Sequence, residues 1–142
     1  LNKESSLVIP TNLSDGFKLR EIKHLDNYRL MEVLSSYGNF TEYWDTALSS
    51  GHRVNIVATS NLNKFKHSIA INTDYKDKDK IIKSLRDGDF YAISYKDDNN
   101  LPELKDLKII NDSIFVNLSK EAKEIRFIGQ NGTIKKSLHN VN

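Results

Sequence analysis

The apolar residues of the first two-thirds of the chain fall into short runs separated by longer amphipathic segments. Runs typical of buried strands occur at residues 7–9, 28–34, 54–58, 68–72 and 90–95. Apolar positions with helical spacing, which predict helices, occur at residues 17–26, 41–50 and 77–87. Strands that alternate with helices favour βαβ units with right-handed crossovers. We therefore predict an α/β fold for this part of the chain.

The pattern changes after a mostly polar linker at residues 96–102. Beyond the linker, the apolar positions form only strand-like runs, at residues 107–110, 114–118, 125–128 and 133–138. Asn131 and Gly132 separate the last two runs and predict a type I′ hairpin, because both central turn positions need a positive φ. We therefore divide the chain into an α/β segment, residues 1–95, and a small antiparallel β appendage, residues 96–142.

Composition excludes several classes of function. The chain has 142 residues, and its 21 Lys and Arg against 19 Asp and Glu give a net charge of +2, too balanced to predict a nucleic-acid partner. Cysteine is absent, which excludes disulfides, thiolate metal sites and a cysteine nucleophile. The four histidines lack the spacing of metal ligands. No apolar run approaches the roughly 18 residues of a membrane span, so we expect a soluble chain without a membrane partner; its localisation stays open.

One carboxylate and the recurring basic residues are the candidates for chemistry. Glu32 lies inside an otherwise apolar run, so it either faces a polar cleft or finds a partner at a strand edge. Basic residues recur in the helix predicted at residues 77–87, but the interleaved aspartates are typical of a solvated face. In the appendage, Lys135 and Lys136 leave an anion-binding role open.

Four segments carry a family resemblance. The first is the run Tyr-Arg-Leu-Met-Glu-Val-Leu at residues 28–34, and the second, at residues 42–60, contains Trp-Asp and Leu-Ser-Ser-Gly. The third, at residues 81–92, ends in Gly-Asp-Phe-Tyr-Ala, and the fourth, at residues 125–132, contains Arg-Phe-Ile-Gly-Gln-Asn-Gly. Together they resemble the C-terminal half of PHP-family (polymerase and histidinol phosphatase) metal-dependent phosphoesterases. The resemblance implies a partial PHP-like (β/α) barrel segment followed by the small β appendage.

The family's metal ligands are replaced at the corresponding positions. Ile9-Pro10-Thr11-Asn12 lies where the family has a His-Pro pair, and Asn61-Leu62-Asn63 lies where the family has Asp-x-His. Asparagine amides are neutral, so they neither hold divalent ions nor activate water as Asp and His do. The resemblance therefore implies a vestigial site at Thr11, Glu32, Asn61 and Asn63, with no catalytic residue, no metal and no cofactor.

The sequence favours a non-catalytic PHP-like binding or assembly module that has lost its metal site. A partial barrel exposes sheet edges and apolar faces, so we expect a homo-oligomer, or a partner that supplies the missing half. One alternative is the C-terminal part of a longer or split metal-dependent phosphoesterase, with a divalent metal as cofactor. Another is a carbohydrate- or anion-binding module that uses the β appendage.

Overall fold

The computed structural model describes residues 7–60, 66–71, 73, 77–95 and 101–141, in two compact units, Leu1–Asp97 and Asp98–Asn142. The helices of the first unit are α1 (Leu13–Gly16), a 3₁₀ helix (Leu19–His24), α2 (Thr41–Ser49) and α3 (Lys78–Asp87). Its strands are β1 (Leu30–Ser35), β2 (Gly38–Asn39), β3 (Asn55–Ala58), β4 (Lys66–Ile71) and β5 (Phe90–Tyr95). The second unit contains β6 (Leu104–Ile110), β7 (Ser113–Leu118), β8 (Ala122–Ile128) and β9 (Ile134–Val141). The chain is thus mixed α/β, and its described strands form no closed barrel.

A parallel βαβ unit made of β1, α2 and β3 organises the first unit. β1 is almost wholly buried, as expected for a strand that lies between two neighbours. Its parallel register with β3 begins at the pair Leu30 and Asn55, while β2 adds a short antiparallel edge on the other side. The indole N–H of Trp44 in α2 donates to the carbonyl oxygen of Val54 at 2.7 Å, which fixes the helix to the start of β3.

The core of the first unit lies on one face of β1. It is formed by Leu13, Ile22, Tyr28, Met31, Val33, Phe40, Ala47 and Val54. Each fully buried large apolar side chain of this kind contributes about 1.5–3 kcal/mol relative to an exposed one. Because successive side chains of a strand point to opposite faces, Met31 and Val33 face this core and Glu32 points away from it.

The third helix has a clear start and stop. The Asp77 carboxylate accepts hydrogen bonds from the backbone N–H groups of Asp79 and Lys80, at 2.8 and 3.3 Å. At the other end, Gly88 has a φ of 79°, which a residue with a side chain adopts at a cost. These signals confirm the helix predicted at residues 77–87.

Two predictions for the first unit are wrong. Strands β4 and β5, which flank α3, pair in antiparallel rather than parallel fashion, so they do not form a second βαβ unit. Residues 7–9 form no strand: Val8 and Ile9 are 55% and 36% exposed. An apolar run becomes a strand only where a neighbouring strand offers it hydrogen bonds.

The second unit consists of two antiparallel hairpins, β6/β7 and β8/β9. The first hairpin turns at Asn111 and Asp112, with φ values of 47° and 64°. The second turns at Asn131 and Gly132, with φ values of 56° and 66°, which confirms the predicted positive φ at both positions. Ala122 is the only buried apolar residue described in this unit.

Candidate functional site

The buried carboxylate of Glu32 joins three segments of the first unit. Its side chain belongs to β1 and the residue is 7% exposed. One carboxylate oxygen, Oε2, accepts a hydrogen bond from the backbone N–H of Asn12 at 3.1 Å. The other, Oε1, accepts from the hydroxyl of Thr59, the residue that follows β3. Glu32 therefore fastens the loop before α1 and the end of β3 to the middle of β1.

The backbone around Glu32 explains why the loop reaches it. The Glu32 N–H donates to the carbonyl oxygen of Pro10 at 3.0 Å, so the loop runs beside β1. Asn12 then takes a left-handed conformation with a φ of 52°. A buried carboxylate is costly unless hydrogen bonds replace its water, and N–H groups that donate to a charged oxygen are among the stronger such bonds. Glu32 thus has its partners inside the fold.

The structure describes two of the four predicted site positions, Thr11 and Glu32. Thr11 is exposed and directly precedes Asn12, whose backbone N–H donates to the Glu32 carboxylate. Asn61 and Asn63 lie outside the described residues. The structure therefore brings the neighbours of Thr11 to Glu32. Within the described ranges, no three His, Asp or Glu side chains come close enough together to hold a metal ion.

A second polar feature, the arginine cavity, lies at the amino ends of the parallel strands. It has a volume of about 510 Å³ and is lined by Leu7, Val8, Asn27, Tyr28, Arg29, Leu30, Arg53 and Arg86. Arg29 directly precedes β1, Arg53 comes two residues before β3, and Arg86 lies in the last turn of α3. Glu32, by contrast, bonds to the residue that follows the carboxyl end of β3.

Tyr28, one of the residues that line this cavity, has an enclosed hydroxyl. The residue is 6% exposed, and its hydroxyl oxygen has no hydrogen-bond partner among the described residues. Burial raises the pKa of Tyr28, and the nearby Asp26 carboxylate raises it further, since both disfavour the phenolate. The ring lies against His52, with centroids 5.8 Å apart, and the Nε2 atom of His52 is 3.1 Å from the carbonyl oxygen of Lys23.

The arginine cavity escaped the sequence analysis because its residues are far apart along the chain. Hydrogen bonding between β1 and β3 brings two of them together: the Asn55 N–H donates to the carbonyl oxygen of Arg29 at 2.9 Å. The signal available in the sequence was a basic residue at the start of each of two predicted strands: Arg29 is the second residue of the run at 28–34, and Arg53 directly precedes the run at 54–58.

Comparison of the chain with protein-family models, curated proteins and solved structures gives no significant match. Among the helices of the described ranges, none has the length and apolar character needed to span a bilayer.

Proposed function

We propose that this chain is a non-catalytic association module that pairs with a second copy through the β6/β7 hairpin. The observation that carries the proposal is an apolar face on that hairpin, formed by the exposed residues Leu107, Ile109 and Ile114 and the half-buried Val116. We call these four residues the hairpin face. A large exposed apolar surface is a typical mark of an interaction site.

The strand register explains why these side chains share one side. Leu107 is opposite Val116, and Ile109 is opposite Ile114. Residues opposite each other in an antiparallel pair, and residues two apart in a strand, lie on the same side of the sheet. Leu107, Ile109 and Ile114 are 55%, 72% and 49% exposed.

A two-stranded hairpin with such a face needs a cover. Isolated two-stranded hairpins are marginally stable in water, and packing of the apolar face is what stabilises them. In the described part of the chain, β6 and β7 pair only with each other, so each also has an open edge. The hairpin face carries no charged residue, so two copies can meet by a two-fold axis without burying a charge.

The absence of catalysis is the second part of the proposal. We propose that the first unit derives from a partial PHP-like barrel, in which Glu32 lies beside the segment of Thr11. Both Glu32 carboxylate oxygens accept hydrogen bonds from within the fold, which suits a structural role better than the binding of a divalent cation. We propose that Thr11, Asn61 and Asn63 replace the ligands of a lost metal site.

Sedimentation velocity of the full chain over a range of concentrations tests the association. The decisive variant is Ile109→Lys, which introduces a charge into the centre of the hairpin face. The matched control is Ile110→Lys, since Ile110 lies on the opposite side, pairs with Ser113 and is 49% exposed. We expect the wild type and Ile110→Lys to self-associate and Ile109→Lys to remain monomeric. A wild type that stays a compact monomer, or equal behaviour of the two variants, contradicts the proposal.

A further inference from the structure

We infer that the arginine cavity binds a small organic phosphate ester, in addition to the proposed association. The first argument is charge. Arg29, Arg53 and Arg86 all line this one cavity. Guanidinium groups present paired N–H donors whose geometry matches the oxygens of a phosphate, and they keep their charge at all physiological pH values.

Within the part of the chain that the structure describes, the two arginines at the strand starts are not paired with a carboxylate. Neither Arg29 nor Arg53 is among the described residues found in ion pairs, such as Lys83, Lys105, Lys108 and Arg126. The acidic residue next to this wall is Asp26, which acts on Tyr28. The ring of His52 lies against Tyr28.

Tyr28 places a buried polar group next to the arginines. Buried hydroxyls almost always have a hydrogen-bond partner, because a buried hydroxyl without one costs about 1–3 kcal/mol. Tyr28 lines the cavity, is 6% exposed and has no partner among the described residues. The hydroxyl oxygen is enclosed, so the arginines rather than this hydroxyl are the groups that reach a phosphate in the cavity.

Size and lining indicate the rest of the ligand. A volume of about 510 Å³ lies within the range of small-molecule sites, roughly 300–1,000 Å³, and exceeds the space that an inorganic anion fills. Leu7, Val8 and Leu30 add apolar surface to the wall. The arrangement therefore suits a phosphate group attached to a small apolar or aromatic body.

Isothermal titration calorimetry of the full chain with phenyl phosphate tests this inference. Inorganic phosphate, benzoate and phenol serve as comparison probes. We expect phenyl phosphate to bind more tightly than inorganic phosphate, benzoate or phenol, and to bind more weakly as salt rises. Absence of measurable heat with phenyl phosphate overturns the inference. Equal affinity for benzoate overturns the assignment to a phosphate.

Matched variants locate the site. Arg29→Gln and Arg53→Gln should each weaken phenyl phosphate binding about tenfold or more, because each removes a charge-assisted hydrogen bond. The control is Arg20→Gln, an exposed arginine of the same unit outside the cavity, which should bind like the wild type. Equal weakening by Arg20→Gln, or no effect of the two cavity arginine variants, overturns the site.

Folding and association are followed separately in these variants. Arg29 and Arg53 are exposed, so their glutamine variants should keep the wild-type circular dichroism spectrum. The hairpin face belongs to the second unit, whereas every residue that lines the cavity belongs to the first. Phosphate binding by the monomeric Ile109→Lys variant would support the cavity even if the proposed association failed.

Discussion

Replacement of Glu32 should show how much its buried carboxylate holds the first unit together. Glu32→Gln keeps the shape of the side chain but removes its charge. The amide oxygen can still accept from the Asn12 N–H, and the Thr59 hydroxyl can turn to accept from the amide NH₂. The variant therefore keeps two hydrogen bonds but loses their charge-assisted character.

The magnitude follows from the two bonds. Hydrogen bonds to charged groups contribute about 1.5–3 kcal/mol, and neutral ones about 0.5–1.5 kcal/mol. Part of this difference is offset because a neutral amide is less costly to bury than a carboxylate. We expect Glu32→Gln to lower the free energy of unfolding by about 1 kcal/mol. Glu32→Leu leaves the Asn12 N–H without an acceptor and should lower it by about 2 kcal/mol.

Urea unfolding followed by tryptophan fluorescence measures the stability of the first unit, to which Glu32 belongs. Trp44 is the only tryptophan of the chain, packs against the core and bonds to the carbonyl oxygen of Val54. The control is Glu42→Gln, an exposed residue of the same unit, with an expected change within about 0.5 kcal/mol in physiological salt. An unchanged or more stable Glu32→Gln, or a Glu32→Leu that costs less than Glu32→Gln, would refute the reasoning.

Two further predictions concern Gly88 and Tyr28. A Cβ at Gly88, where φ is 79°, would lie 2.5 Å from Nδ2 of Asn55, so Gly88→Ala should destabilise more than Gly51→Ala, where φ is 90° and nothing lies within 4 Å. We expect the positive φ to lower the free energy of unfolding by about 1 kcal/mol at each position, with an additional steric cost at Gly88. Urea unfolding measures both variants, and equal losses of stability would contradict the steric cost at Gly88. Because the pKa of Tyr28 is raised above 10.0, the unfolded chain ionises this residue first, and stability should fall as the pH rises above that value. Tyr28→Phe should make this alkaline fall in the free energy of unfolding smaller, and an unchanged pH profile would contradict the assignment.

Local signals made some elements predictable from the sequence. The Asp77 cap and Gly88 mark both ends of α3, and the Asn131-Gly132 pair marks a hairpin, because each signal acts within a few residues. The direction in which β4 and β5 pair depends on contacts between distant segments, so the alternation of helices and strands predicted the wrong direction. The exposed Val8 shows the same limit: an apolar run does not reveal whether a neighbour exists to cover it.

The candidate site was likewise predictable from the sequence only in part. Glu32 was recognisable because a carboxylate inside an apolar run needs a partner. One of its partners, the backbone N–H of Asn12, has no signature in the sequence, since almost every residue carries such a group. The arginine cavity was missed because Arg29 and Arg53 come together only through the pairing of β1 with β3.

The molar mass of the full chain in solution, measured by light scattering over a concentration series, tests the proposed association most directly. Burial of the hairpin face between two copies predicts a mass that rises from the monomer value of 16.3 kDa towards twice that value. A mass that stays at 16.3 kDa at every concentration would contradict the account.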